Sequence, residues 1–275
     1  MRIALALLLI GLTSLGLPGA IARAAEPMRL AFHTYAVGVH VADAEAVVSL
    51  GPWTYQAELG FHTVGIVDSL YRSRHRSAVH GKWHDDRPEP VHYAAHGFWR
   101  GEPRDIEIDY EQREPLVRQL QPPLEPTRDP VPPALRQGST DALSAFAAMA
   151  RTAAATGRCE STARTFDGRR AAEMTARTGG FETLDATSRT SFAGASLRCD
   201  FESRMLAGFN HDESSQSEYR PLRGSAWLAR LEPDGPPIPV RMSVETRWLG
   251  HVTSYLTAID GATTAVTGLP WTSGR

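Results

Sequence analysis

The chain has 275 residues, 42% hydrophobic and 22% charged, with 29 basic against 31 acidic side chains and a formal net charge of −2. These proportions exclude a disordered, collagen-like or coiled-coil chain, and no global positive field would draw it onto nucleic acid. They describe a globular protein long enough for one large domain or two small ones.

The N-terminus reads as a secretory signal. Met1-Arg2 supplies a short positive start, Ile3 to Ile10 is unbroken Ile, Ala and Leu, and Pro18-Gly19 ends any helix. Ala22-Arg23-Ala24 gives the small-x-small pattern read by signal peptidase, so residues 1–24 are expected to be removed and the remainder to act in the periplasm as a single β-rich domain. The run is too short and too broken by glycine for a membrane span of about 20 residues. In an oxidising compartment an even cysteine count is expected to pair, so Cys159 and Cys199, the only two cysteines, are predicted to form a structural disulfide.

From Met28 to about Leu120 apolar residues recur at every second position. Leu30 and Phe32 lie on one face and Tyr35, Val37, Val39 and Val41 on another, so a bulge or bend is expected between them. Further half-buried strands are expected at 46–50, 53–61, 64–71, 91–99 and 106–110, separated by turns at Gly51-Pro52, Gly81, Pro88 to Pro90 and Gly101 to Pro103. Residues 115–133 carry seven of the nineteen prolines and read as an extended connector that stays out of a sheet interior.

Ser139-Thr140-Asp141 are good capping residues, and Leu143, Phe146, Ala147, Ala150 and Ala154 follow at helical spacing until Gly157. A helix from about Thr140 to Thr156 is therefore predicted, lying close against a sheet. The second half returns to strands. Asp167-Gly168 signals a hairpin, and runs at 197–206, 222–231, 238–248 and 252–259 alternate. About ten or more strands cannot stay flat, so a mainly β fold is expected: a curved antiparallel sheet, open barrel or half-barrel, with one covering helix.

Phe32-His33-Thr34-Tyr35-Ala36-Val37-Gly38-Val39, Phe166-Asp167-Gly168-Arg169-Arg170, Leu197-Arg198-Cys199, Ala207-Gly208-Phe209, Pro239-Val240-Arg241 and Thr253-Ser254-Tyr255-Leu256-Thr257 recur in order along the chain. Together they resemble the bacterial envelope family known as domain of unknown function 3108, over about Leu30 to Ile259. The resemblance implies export and a largely β fold in one domain. It brings no established activity and no catalytic residues.

Eight of the ten histidines lie between His33 and His96. His80 and His84, and His92 and His96, stand four apart, but on a strand such pairs are about 13 Å apart, too far to share a metal. Neither a metal site nor a cofactor is expected on that reasoning. Arg72, Arg74 and Arg76 place cations on one strand face, a candidate anion contact whose simpler account is a solvated face. Phe32, Tyr35, Trp53 and Tyr55 are candidates for lining a ligand site, which core packing would equally explain. The motifs GxSxG, HExxH and GxxxxGK[ST] are absent, so no catalytic residue is assigned.

The leading expectation is a non-catalytic periplasmic carrier or binding protein for a hydrophobic or amphiphilic envelope component, a lipid, lipoprotein or glycan. It rests on fold-level analogy with lipoprotein carriers, which also wrap a sheet around helices. The alternatives are an envelope assembly factor that docks a protein through the Pro-rich segment or a sheet edge, and an enzyme acting on envelope glycan or lipid.

Overall fold

A computed structural model describes residues 26–99, 101–212, 219–233, 235–246, 250–262 and 266–271. The expected signal segment and Trp248 lie outside the described residues. No helix among the described residues is long and apolar enough to cross a membrane.

The first half is a run of hairpins: β1 (Met28–Ala36), β2 (Val39–Leu50), β3 (Thr54–Thr63), β4 (Ser73–His84), β5 (Arg87–Trp99), β6 (Glu102–Glu111) and β7 (Glu114–Gln121). The short helix α1 (Gly65–Leu70) joins β3 to β4, and α2 (Pro133–Arg136) and α3 (Ala142–Thr156) follow β7. The second half comprises β8 (Ser161–Phe166), β9 (Ala171–Leu184), β10 (Phe192–Ala207), β11 (Leu222–Ala229), β12 (Ile238–Thr246), β13 (Gly250–Ile259) and β14 (Val266–Gly268).

All fourteen strands form one sheet in the order β7-β6-β5-β4-β3-β2-β1-β13-β12-β11-β10-β9-β8, with β14 beside β10. Each half is a meander, and the ladder between β1 and β13 welds the first half to the last. The sheet curls into a nearly closed barrel with β7 and β8 as its terminal strands. At the seam between those strands Thr140 pairs with β8, its N–H donating to the Arg164 carbonyl and its carbonyl accepting from the Phe166 N–H, each at 2.8 Å, and side chains pack across to β6 and β7. Gly168, at the β8–β9 turn, sits so close to β6 that a Cβ there would be 2.2 Å from Ile106 Cδ1 and 3.4 Å from Leu120 Cδ1 on β7. Gly168 has φ 86°, and the Asp167 carboxylate accepts from the backbone N–H groups of Arg169 and Arg170 at 3.0 and 2.7 Å. Only the glycine takes a positive φ at this turn.

Helix α3 fills the concavity. Asp141 caps it, accepting from the Ser144 N–H at 2.9 Å, and Gly157 ends it at φ 68°. Met149 and Ala153 pack with Leu197, Phe201, Ala226 and Leu228 of the second half, and Ala147 and Leu143 pack with Tyr55, Ala57 and Val79 of the first. One helix thus touches both halves of the sheet. A third cluster, Leu30, Phe32, Leu184, Phe192, Ile238, Val240 and Leu256, fills the region where β1 meets β13.

Several expected boundaries are corrected. Residues 64–71 form helix α1, not a strand, because Ile66 and Leu70 face solvent and Asp68 accepts from Thr63 Oγ1 at 2.8 Å. Gly81 lies inside β4, where a Cβ would meet the Tyr55 hydroxyl at 2.5 Å, so the glycine permits close packing and not a turn. The reversal comes at Asp85 and Asp86, with φ of 48° and 63°, and Pro88 to Pro90 join β5. Residues 115–121 of the expected connector form edge strand β7, where a proline is tolerated. The long strand β9 gave no strand signal, since its sequence AAEMTARTGGFETL is mostly small and polar. It is held by its neighbours.

Candidate functional site

At the mouth of the curl, beside the N-terminus of α3, a cavity of about 690 Å³ opens between the two halves. Phe166, Ala172, Met205 and Leu222 give it apolar walls, Tyr93 enters from the first half, and Arg220, Glu245 and the Arg170–Asp167 ion pair, closed at 2.8 Å, bring charge. Apolar walls with a few charged groups are the form of a site for an amphiphilic molecule. A second cavity of about 490 Å³ is lined by Asp200, Glu202, Arg223 and Ser225, whose groups satisfy one another. Arg223 Nε donates to Glu202 at 2.8 Å and Ser225 Oγ to Asp200 at 2.6 Å, which leaves that groove little to offer a ligand.

Asp141 forms part of the first cavity's wall and belongs to a buried polar chain. Ser144 Oγ donates to Asp141 Oδ2 at 2.5 Å and meets the Tyr55 hydroxyl at 2.7 Å. Burial raises the Asp141 carboxyl above the ordinary Asp range, although its bonds to Ser144 act the other way, and burial likewise raises the Tyr55, Tyr93 and Tyr110 phenols. Between about pH 4, where an unfolded Asp titrates, and the raised value, the folded chain keeps a proton that the unfolded chain releases. Stability from this group is therefore full below that window and falls as pH rises through it. Asp141→Asn keeps the capping oxygen and cannot ionise, so it is expected to flatten this part of the pH profile and to be at least as stable as the parent at neutral pH. Urea titrations at intervals from pH 4 to pH 8 check this, and an unchanged slope in the variant would contradict it.

The expected lining set does not come together at either cavity. Phe32 is 5% exposed in the core at the β1–β13 junction, and Tyr55 is 2% exposed against Ala147 and Trp83. Trp53 stands 72% exposed in the β2–β3 turn. Tyr35 points to the opposite face from Phe32, stacked on His40 and capped by Arg189 at 4.7 Å. Phe32 and Tyr35 are an odd number apart on β1, which puts them on opposite faces; the register shifts after Ala31 and after Thr34 leave the extra residue in β13 and in β2, and the chain reverses at Val37-Gly38 before the later valines.

The cation set is also divided. Arg72 precedes β4, while Arg74 and Arg76 share its exposed face. Arg76 Nη2 donates to Glu58 at 2.6 Å, so its charge is already matched, as a solvated face would have it. His92 and His96 likewise pair with Asp109 and Asp105 of β6, at 2.8 and 3.2 Å.

Cys159 and Cys199 are bonded, with Cα atoms 5.5 Å apart, and both are fully buried beside α3. The bridge ties the exit of α3 to the middle of β10.

The residues missed by sequence reasoning line the cavity mouth: Tyr93, Asp141, Arg170, Met205 and Arg220. They come from five separate segments; Asp141 was marked only as a helix cap and Arg170 only as part of the 166–170 run, and no pattern along the chain groups them as a site. The nearest signal was the pair of short runs 166–170 and 207–209, which meet at the seam. A Cβ on Gly208 would lie 2.2 Å from the Arg169 carbonyl oxygen, so close backbone approach requires this glycine, while Gly168 is favoured by its positive φ of 86°. Arg128 of the Pro-rich segment locks this corner, donating to the Gly208 carbonyl at 2.6 Å and to Glu125 at 2.8 Å.

No curated protein matches the sequence. Among solved structures, a beta-barrel-like protein of domain of unknown function DUF1849 from Brucella abortus is similar at 12% identity and a TM-score of 0.46, covering 85% of this chain and 97% of its own. The family model described as "Protein of unknown function (DUF3108)" matches residues 31–257, which run from β1 into β13 and take in both edges of the seam. The chain is a member of the DUF3108 family.

Proposed function

We propose that the protein is a non-catalytic carrier that holds an amphiphilic envelope molecule, such as a lipid or lipoprotein acyl chain, in the cavity at the mouth of the curl. The observation that carries this reading is the cavity itself, about 690 Å³ with Phe166, Ala172, Met205 and Leu222 on its walls and Arg170 and Arg220 among its charged groups. Its volume falls within the usual range for small-molecule sites, roughly 300–1,000 Å³, and its mixed walls suit an apolar tail with an anionic head. The buried disulfide fits an oxidising compartment, which supports the periplasm as the place of action.

Native mass spectrometry of protein purified without detergent, followed by organic extraction, tests the proposal. A stoichiometric added mass that extracts as lipid is the expected result. Met205→Trp places a large ring on the cavity wall and is expected to lower the affinity at least about tenfold, the equivalent of 1.4 kcal/mol in binding, and so to reduce the loading. A bare polypeptide mass in the parent, or equal loading of the variant, would count against a carrier.

A further inference from the structure

On the face of the sheet opposite α3, three adjacent strands bring together histidines that are far apart in sequence. His33 of β1 is directly opposite Asp43 of β2, and Asp43 is directly opposite His62 of β3. Residues so paired in antiparallel strands have Cα atoms about 4.5–5.5 Å apart and share a face. His40 joins them only because the ladder is irregular. Residues 40 and 43 are an odd number apart and would point to opposite faces of a regular strand. The register between β1 and β2 shifts between Thr34 and Tyr35, so that Tyr35 pairs with His40 and one residue of β2 is left over. That bulge turns His40 to the side of Asp43.

We propose that His33, His40 and Asp43, with His62 beside them, form a binding site for a first-row transition-metal ion of the zinc and copper class. His40 Nε2 lies 2.7 Å and His33 Nε2 3.7 Å from Asp43 Oδ1, and His62 Nε2 lies 3.9 Å from Asp43 Oδ2. The donor atoms of His33, His40 and Asp43 all fall within 4.8 Å of one another. In a tetrahedral zinc site with bonds of about 2.0–2.1 Å, neighbouring donors are about 3.3 Å apart, so shifts of roughly half an ångström bring the three distances to the Asp43 carboxylate to that geometry, and closing a separation of up to 4.8 Å within the set takes a side-chain movement of up to about 1.5 Å. Imidazole and carboxylate donors are the set that suits zinc, copper and nickel, and the common carboxylate would take the place of a shared ligand. The side chains are between a third and a half exposed, which leaves an ion a path from solvent.

The surroundings hold the donors in place. The rings of His33 and His40 have centroids 4.6 Å apart, and Tyr35 stacks on His40 at 5.2 Å. The exposed Glu45, on the same face two residues after Asp43, adds negative charge, while Arg74 opposite His62 stands at the far end of the row. This site is independent of the cavity at the mouth of the curl, since the two lie on opposite faces of the sheet.

Isothermal titration of untagged, EDTA-treated protein with zinc chloride, and separately with copper chloride, decides the matter. One equivalent is expected to bind, and His33→Gln, His40→Gln and Asp43→Asn are each expected to lower the affinity at least about tenfold. The control His92→Gln/His96→Gln, which removes two ring pairings with acids elsewhere on the sheet, is expected to bind as the parent does. The absence of one-to-one binding by the parent, or equal affinity in Asp43→Asn and in a His33→Gln/His40→Gln double variant, overturns the proposal. A cobalt-loaded sample of the parent gives a reading that needs no variant. Intense tetrahedral d–d bands support the site, and a spectrum like that of aqueous cobalt overturns it.

Discussion

Replacing Cys159 and Cys199 together by alanine is expected to lower the free energy of unfolding by about 4 kcal/mol, the chain-entropy value for closing a loop of this length. The separation of 40 residues places β8, β9 and the first half of β10 inside the closed loop. In the unfolded chain the bridge forbids most arrangements of that segment, and β9, with its many small and polar residues, gains the most from a partner held nearby. Both sulfurs are fully buried among Met149, Ala153, Leu197 and Phe201, so the cut also leaves space in the core. Guanidinium denaturation of parent and variant, followed by circular dichroism, measures the effect. A loss below about 1 kcal/mol would mean that β9 and β10 are held by their ladder alone. Reducing agent added to the parent is expected to give a similar loss.

The second large effect is expected at the centre of α3. Met149→Ala is expected to cost about 3 kcal/mol, within the usual range for truncating a fully buried long side chain. Met149 is 1% exposed and packs with residues of β9, β10 and β11, while Ala147, two positions before it, faces Tyr55 and Val79 of β3 and β4. Loosening the helix on one side therefore weakens its grip on both halves of the sheet. Met149→Leu, which conserves volume, is expected to cost less than about 1.5 kcal/mol. The pair distinguishes packing from any special property of the thioether. Equal stability of Met149→Ala and the parent in urea would show that the helix can be repacked freely within the barrel.

Much of the fold was legible because it depends on short-range periodicity. The alternation in β12, the hairpin signal at Asp167-Gly168 and the cap at Asp141 each lie within one strand, one turn or one helix end. Residues 64–71 misled because an apolar run of that length suits a strand or a short helix equally, and here local hydrogen bonds prevailed. Gly81 misled because a glycine marks either a turn or a close approach, and only the position of the Tyr55 ring decides which.

The candidate sites were less legible. Phe32 and Tyr35 could be placed on different faces from sequence, yet which face looked inward was settled by the ladder to β13 and by packing against Leu184, Phe192 and Val240. Histidines compared along one strand are too far apart to share an ion. The grouping of His33, Asp43 and His62 runs across strands, at right angles to the direction in which spacing can be read.

By itself the sequence determined the class of the protein: alternation over most of its length, one capped helix, two cysteines with only each other to bond, and an order of short motifs that places it in its family. These are properties of neighbours along the chain, set by backbone sterics and by burial of one face. The tertiary structure decided the rest. It chose the register that turns His40 toward Asp43, the closure that sets Gly168 against β6, and the meeting of five segments around the cavity mouth. Each of those depends on contacts between residues tens to hundreds of positions apart, whose energy is gained only once the sheet has curled around its helix.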